Sequence, residues 1–191
     1  FEEKINMKIS TCIYTGIMTD SGSFKFPSVT SRTHDIVSKL ISNGANNSNI
    51  HNAVYDNSPL SKIKILGKAL ENLITIPDLK TSYMHLNKND LKSLNYRKGD
   101  TEGIVNYGLS LKGIIFSAMF IEDPNEIKKI KISFRSIGEF SCDKFARKHF
   151  SGGGHVNAAG GKDFDTIENT INKFNKVLIN YKTNLSKWKT N

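Results

Sequence analysis

Apolar residues follow a helical period over the first part of the chain. In the first run they stand at every fourth position: Phe1, Ile5, Ile9, Ile13 and Ile17. This spacing predicts a helix with one apolar face that ends near Asp20. A second helix is predicted through HDIVSKLISN, and a third begins at Ser58 and Pro59 and ends before Pro77. We expect this third helix to be a linker and to bury a face made of Leu60, Ile63, Leu66, Leu70, Leu73 and Ile74.

Beyond this linker, the pattern changes to that of strands. The segments TSYMHL, GIIFSAMFIE and KKIKISFRS are rich in β-branched and aromatic residues, and a short EDPNE turn joins the last two. Short helices are predicted over 101–110 and 141–149, and apolar spacing in TIENTINKFNKVLINYK predicts a longer one. The sequence therefore predicts an α/β protein with an α/β segment at 1–57, a linker helix at 58–77 and a mixed α/β domain at 78–191.

Composition narrows the class of protein. With 191 residues, 38% of them hydrophobic and 24% charged, the chain is typical of a soluble globular protein and not of a disordered or collagen-like one. No apolar run approaches the roughly 18 residues that cross a bilayer, so no membrane partner is expected. Two cysteines, Cys12 and Cys142, fit a reducing compartment, which predicts a cytoplasmic location. A net charge of +9 favours polyanionic partners such as nucleic acid or nucleotides.

The segment FSGGGHVNAAGG, residues 150–161, is the most informative one. Gly152, Gly153 and Gly154 can let backbone amides approach a phosphate, and His155 can donate a hydrogen bond or a proton to a phosphate oxygen. Asn157 adds a neutral amide. A tight structural turn followed by a helix would also explain this pattern, so the segment alone leaves both interpretations open.

Two further residues could carry chemistry. Arg135 stands at the end of the predicted strand KIKISFRS, where its guanidinium could bind a phosphate with two parallel hydrogen bonds, although a solvated surface arginine is the alternative. Asp20 follows the first helix beside the hydroxyls of Thr19, Ser21 and Ser23. Such a carboxylate suits a hard metal ion, but an aspartate that caps a turn is a common alternative.

Together and in this order, four segments resemble one family. They are YTGIMTDSGSFKF, GDTEGIVNYGLSLKGI, KISFRS and FARKHFSGGGHVNAAGG. The chain resembles the C-terminal part of the DHH phosphoesterases that carry a DHH-associated domain, and among them it is most similar to the bacterial nanoRNases that also dephosphorylate 3'-phosphoadenosine 5'-phosphate. The resemblance implies a C-terminal remnant of a Rossmann-like DHH catalytic domain at 1–57, the linker helix at 58–77, and a mixed-sheet α/β DHH-associated, substrate-binding domain at 78–191.

The resemblance also implies roles for single residues. Asp20 matches an aspartate of the catalytic domain that binds manganese, Arg135 matches an arginine that holds substrate phosphate, and the run from Gly152 to His155, with Asn157 after it, matches the nucleotide-binding loop. Family members hold two manganese ions that activate a water for attack on phosphorus. They release 5'-nucleotides from very short RNA and AMP from the nucleotide bisphosphate. A homodimer is the assembly that the resemblance leaves open.

The chain departs from the family in one important respect. Three motifs are missing: a His followed by Asp-x-Asp, a lone Asp, and the Asp-His-His that names the family. We interpret Asp163 and Asp165 as a coincidental Asp-x-Asp, since they follow the glycine segment and no His stands at the required distance. With Asp20 as its one expected metal ligand, we expect the chain to be catalytically inactive alone. The alternative is a noncatalytic module that binds a nucleotide or RNA.

Overall fold

The computed structural model describes residues 5–187, and the chain divides into two compact units, Phe1–Ser58 and Pro59–Asn191. Phe1, the first position of the predicted apolar helix face, lies outside the described residues. The described part of the first unit is built from three helices: α1 (Met7–Asp20), α2 (Ser31–Ser42) and α3 (Asn47–Tyr55). Within residues 5–187, no helix has both the length and the apolar character needed to cross a membrane.

Helix α1 confirms the predicted element but buries a different face. Tyr14 and Met18 are buried, whereas Ile9 and Ile13 of the predicted apolar face are 42% and 39% exposed. Tyr14 and Met18 belong to a core to which α2 and α3 contribute Val37, Leu40 and Ile50. The buried side of α1 is therefore the one that faces the other two helices, and it is not the side on which Ile9 and Ile13 lie.

The second unit contains a six-stranded mixed sheet, which confirms the predicted α/β class. Its strands are β1 (Ile74–Ile76), β2 (Thr81–Leu86), β3 (Phe116–Glu122), β4 (Ile130–Ser136), β5 (Gly153–His155) and β6 (Ala158–Asp163). They lie in the order β1-β2-β3-β4-β6-β5, in which β2 and β3 are parallel and every other neighbouring pair is antiparallel. The helices are α4 (Leu60–Glu71), α5 (Lys88–Ser93), α6 (Val105–Leu109), α7 (Cys142–His149), α8 (Ile167–Leu178) and α9 (Lys182–Ser186).

The predicted linker helix over 58–77 is wrong in extent and in its buried face. Helix α4 ends at Glu71, and the next residues form β1, the edge strand that pairs with β2. Its fully buried side chains are Ile65 and Ala69, because this side of α4 packs on β2. Four residues of the expected apolar face are instead exposed: Leu60, Ile63, Leu70 and Ile74. Helix α4 belongs to the second unit, and the assignment of the units to catalytic and substrate-binding domains stays a prediction.

The sheet buries a different core on each face. On one face, phenylalanines of β3 and β4 pack against phenylalanines of α7 and α8. They are Phe116 and Phe120 of β3, Phe134 of β4, Phe145 of α7 and Phe174 of α8. On the other face, α4 and α5 and the segment leading into α6 cover aliphatic and sulfur-containing side chains of β2 and β3: Met84, Leu86, Met119 and Ile121. Both faces of the central strands are therefore covered, which is why β2 and β3 are buried over almost their full length.

A buried aspartate fixes the turn between β3 and β4. The side chain of Asp123 is 4% exposed, lies 2.9 Å from the Lys131 ammonium and 3.7 Å from that of Lys129, and accepts a hydrogen bond from the Asn125 backbone amide at 3.0 Å. Burial acts to raise the pKa of Asp123, but the Asn125 amide and Lys131 outweigh it and hold the pKa below its ordinary value of 3.8.

We therefore expect Asp123 to stabilise the fold at neutral pH. Since its pKa is lowered in the folded state, the stabilisation is present above pH 3.8 and is lost as the pH falls through the folded-state pKa. Asp123→Asn should lower the free energy of unfolding by about 1.5–3 kcal/mol at pH 7, as for other hydrogen bonds to a charged group. Urea unfolding at pH 7 and at acidic pH measures the difference, which should shrink in acid. Glu139→Gln, at an exposed position, is the control; an equal loss in both variants would contradict the prediction.

Candidate functional site

Arg135 and His155 lie in one row across the sheet. Arg135 of β4 pairs with Ala158 of β6, and Ala158 pairs with His155 of β5. Two strand spacings separate the two backbones, which is about 10 Å. Side chains that are paired across antiparallel strands project from the same face, so the guanidinium and the imidazole flank the small side chain of Ala158. Arg135 and His155 lie in separate segments of the sequence, and the pairing of β4, β6 and β5 brings them together.

The arginine itself is fixed at the strand end. Arg135 is half-buried, and its Nη1 donates a hydrogen bond to the backbone carbonyl of Phe134 at 2.9 Å. A guanidinium carries five N–H donors, so this single bond leaves donors for a ligand oxygen. The imidazole of His155 is exposed, in the hairpin that β5 and β6 form. This arrangement can bind an anion with a fixed cation on one side and a hydrogen-bonding ring on the other.

From Arg135 in the direction away from His155, the row continues across β3 and β2 and ends beneath α6. Ser117 pairs with Arg135, Ser82 pairs with Ser117, and the two buried hydroxyls are hydrogen-bonded at 3.1 Å. Gly108 of α6 lies directly on them, because a β-carbon at this position would stand 2.1 Å from Ser117 Oγ and 2.4 Å from Ser82 Oγ. Any side chain at position 108 would push α6 away. Sequence reasoning missed Gly108, although a glycine within a predicted helix was the available signal.

The glycine segment forms a hairpin, and the turn followed by a helix that was one interpretation of it is wrong. A β-carbon on Gly152 would lie 2.1 Å from the carbonyl oxygen of Gly160. Gly154 has φ of +157°, and its β-carbon would lie 2.6 Å from the carbonyl oxygen of Ala158. These glycines are therefore needed for the close approach of β5 and β6. Their part in binding a nucleotide stays a prediction.

Asp143 of α7 binds the hairpin, which sequence reasoning did not anticipate. The Gly154 amide donates to Asp143 Oδ1 at 2.7 Å, and the same oxygen accepts from Arg147 Nε at 2.8 Å. The Gly154 hydrogen bond is the main cause that lowers the pKa of Asp143 below its ordinary value, and the hydrogen bond and charge of Arg147 add to it. The Gly154 amide is thus already bonded within the chain. The spacing of Asp143 and Arg147 on a predicted helix was the only signal.

Asn157 supports the strand end that carries Arg135. Its Nδ2 donates to Ser136 Oγ at 3.0 Å and to the Gly138 carbonyl at 2.9 Å, so both amide hydrogens serve the fold. The backbone carbonyl oxygen of Asn157 in turn accepts a hydrogen bond from the Ser136 backbone amide at 3.1 Å. Asn157 therefore ties the β5–β6 turn to the end of β4, and the predicted contact with substrate stays a prediction.

Asp20 lies in the first unit, as the exposed last residue of α1. It borders a shallow cavity of about 370 Å³ together with Ser21, Ser28 and Thr33. Among residues 5–187, no group of three or more His, Cys, Asp or Glu side chains is placed to hold a metal ion. The described residues therefore do not fit the expected two-manganese site by themselves.

The acidic pair that follows the glycine hairpin has structural partners. Asp163 forms an ion pair with Lys173 at 3.0 Å. Asp165 accepts hydrogen bonds from the Thr166 amide at 2.7 Å and from Asn169 Nδ2 at 2.9 Å, at the start of α8. Both carboxylates serve the junction of β6 and α8, in keeping with the interpretation of this Asp-x-Asp as coincidental.

Known proteins are similar to this chain in sequence. The bifunctional oligoribonuclease and PAP phosphatase NrnA of Bacillus subtilis is 28% identical over 157 residues, covering 82% of this chain and 48% of its own length. NrnA of Thermus thermophilus is 28% identical over 153 residues, covering 80% of this chain and 44% of its own length. The chain spans about half the length of these curated relatives.

A solved structure is similar to this chain in fold. The crystal structure of an exopolyphosphatase-related protein from Bacteroides fragilis superposes with a TM-score of 0.93 at 37% identity, over 97% of this chain and 54% of that protein. The DHHA1 domain matches residues 81–183, which include β2 to β6 and therefore both Arg135 and His155. More than half of the chain is covered by this match, and the chain belongs to the DHHA1 domain family.

Proposed function

We propose that this chain is the substrate-holding part of a manganese-dependent phosphoesterase that acts on very short RNA and on 3'-phosphoadenosine 5'-phosphate. The observation that carries the proposal is the row in which Arg135 and His155 flank Ala158. The NrnA relatives are bifunctional oligoribonucleases and PAP phosphatases, which supports the choice of substrates. We also infer a cytoplasmic location, because Cys12 and Cys142 are both free thiols, as is usual in a reducing compartment.

The residues of the row suit the recognition of a nucleotide phosphate. Arg135 would bind two oxygens of one phosphate with its planar fork, an arrangement that a lysine ammonium cannot reproduce. His155 would donate a hydrogen bond from its exposed ring at the other end of the row. Asn157 and Gly108 would act indirectly. Asn157 would hold the end of β4 in place, and Gly108 would let α6 lie against the row.

Hydrolysis requires more than these residues. Since the described part of the chain has no cluster of metal ligands around Asp20, we propose that this chain binds substrate and that the three missing motifs must be supplied to it for turnover. Asp20 would then contribute one ligand among several. A noncatalytic nucleotide- or RNA-binding module is the second candidate function, since Arg135 and His155 in one row can hold an anion without a metal ligand.

Two measurements on the folded chain test the proposal. Calorimetric titration with 3'-phosphoadenosine 5'-phosphate and with an RNA dinucleotide should show binding of both. Incubation of the same ligands with manganese, followed by chromatography, should show no product from this chain alone. Failure to bind either ligand would refute substrate holding, and turnover that a chelator abolishes would show that the metal site is complete.

A third measurement separates the two candidate functions. The part of the Bacillus subtilis relative that this chain does not match can be mixed with or fused to the chain. Manganese-dependent turnover in the fused protein, absent from each half, is the expected result for a phosphoesterase. Binding without turnover in a well-folded fusion would favour the noncatalytic module.

A further inference from the structure

Arg147 lies against the glycine hairpin from outside the row. Its Cζ and Nη2 are each 3.0 Å from the position that a β-carbon would take on Gly153, so the guanidinium rests on the bare α-carbon of that glycine. The side chain is nevertheless 65% exposed. A larger residue at position 153 would displace the guanidinium from this position.

Asp143 holds this guanidinium in place. One oxygen, Asp143 Oδ1, accepts both from Arg147 Nε at 2.8 Å and from the Gly154 amide at 2.7 Å. The side chain of Asp143 is 24% exposed, and its neighbours favour the ionised form, since the lowered pKa keeps it charged well below neutral pH. The carboxylate therefore couples the position of Arg147 to the position of the hairpin.

The terminal amino groups of Arg147 remain for a ligand. Its Nε is used by Asp143, and a guanidinium has four more N–H donors on its two terminal nitrogens. His155 directly follows Gly154, whose amide donates to Asp143, so the imidazole belongs to the same hairpin that Asp143 and Arg147 contact. Arg147 is therefore a second cation beside the glycine hairpin, next to the strand β5 that ends at His155.

We propose that Arg147, positioned by Asp143, is a second phosphate-binding residue of the site and selects ligands that carry more than one phosphate. The proposal rests on the proposed function, in which Arg135 binds one phosphate. Arg147 would bind another phosphate of the same ligand, such as the second one of a nucleotide bisphosphate or the next one along an RNA chain. Arg135 would then set affinity for any nucleotide, and Arg147 would distinguish bisphosphates from monophosphates.

An ordinary surface ion pair makes a different prediction. Aspartate and arginine four residues apart on a helix often pair and add a few tenths of a kcal/mol to helix stability. If this were the whole role of Arg147, its removal would change the melting temperature a little and would leave the preference between two nucleotides unaltered.

The experiment compares two ligands on the full chain. Dissociation constants for AMP and for 3'-phosphoadenosine 5'-phosphate are measured by calorimetry for the unchanged chain, for Arg147→Ala and for Arg147→Lys. We expect Arg147→Ala to weaken the bisphosphate by about tenfold and AMP by less than about twofold, the size of one lost charge-assisted hydrogen bond. Arg147→Lys keeps the charge without the planar fork and should recover only part of the loss.

The matched control is Lys148→Ala, which removes the same charge from the next position of α7, roughly 100° further round the helix. It should weaken both ligands equally and slightly. An equal loss for both ligands in Arg147→Ala, or no loss, would overturn the inference while the proposed function stands. If the unchanged chain binds neither nucleotide, the proposed function fails and this inference fails with it.

Discussion

Phe174→Ala is expected to lower the free energy of unfolding of the second unit by about 3–5 kcal/mol, the usual result of truncating a fully buried phenylalanine. Phe174 of α8 is fully buried, with its ring centroid 5.2 Å from that of Phe120, 5.9 Å from that of Tyr83 and 6.0 Å from that of Phe116. It is the side chain through which α8 packs on β2 and β3 together. Alanine would leave a cavity that surrounding rings can fill only in part.

Hydrogen exchange of the β3 and β4 amides measures this effect, because the most protected amides report the unfolding of the unit that contains them. The control is Phe164→Ala, the same change at a side chain that is 61% exposed, for which we expect a loss of less than about 1 kcal/mol. Comparable losses in the two variants would mean that α8 does not depend on this core.

Arg135→Ala is expected to weaken the binding of 3'-phosphoadenosine 5'-phosphate by about 1.5–3 kcal/mol, which is the range for hydrogen bonds to charged groups. The physical reason is that Arg135 is the half-buried cation of the row and is already oriented by its bond to the Phe134 carbonyl. A preoriented guanidinium loses little side-chain entropy on binding, so its removal should weaken binding to an extent that a mobile surface cation would not.

Calorimetric titration of the full chain measures this loss, and two variants serve as controls. Arg97→Ala removes an equal charge at an exposed position outside the row and should change the affinity by less than about twofold. Arg135→Lys should recover only part of the loss, since an ammonium cannot make two parallel hydrogen bonds to one phosphate. Unchanged affinity in a folded Arg135→Ala variant would remove Arg135 from the site.

The parts of the fold that the sequence predicted are those with strong local patterns. Strands β2, β3 and β4 and helix α8 were predicted because each has a long apolar or amphipathic run. Strands β1 and β5 were missed because each has three residues, and β6 because AAGGKD has neither alternation nor β-branched residues. These strands form through pairing with their neighbours, which a local pattern does not encode.

The site was predictable in its residue types and not in its geometry. Arg135 and His155 stood out through a strand end and a glycine run, but their placement in one row depends on the pairing of β4 with β6, between residues more than twenty positions apart. The contact of Asp143 with the Gly154 amide depends equally on the way α7 lies along β5. The sequence shows which side chains could bind an anion, and tertiary pairing decides which of them meet.

The bond between Asp143 and the Gly154 amide also bears on self-association of the chain. Strand β5 is the last strand of the sheet, and the outward amides of an edge strand are the groups through which a foreign strand would join and extend it. At β5 the outward amide of Gly154 is taken by a charged side chain from the chain's own helix. The same carboxylate that orders the glycine hairpin thus withholds a hydrogen-bond donor from any incoming strand and leaves this edge of the sheet one fewer group through which a foreign strand could pair.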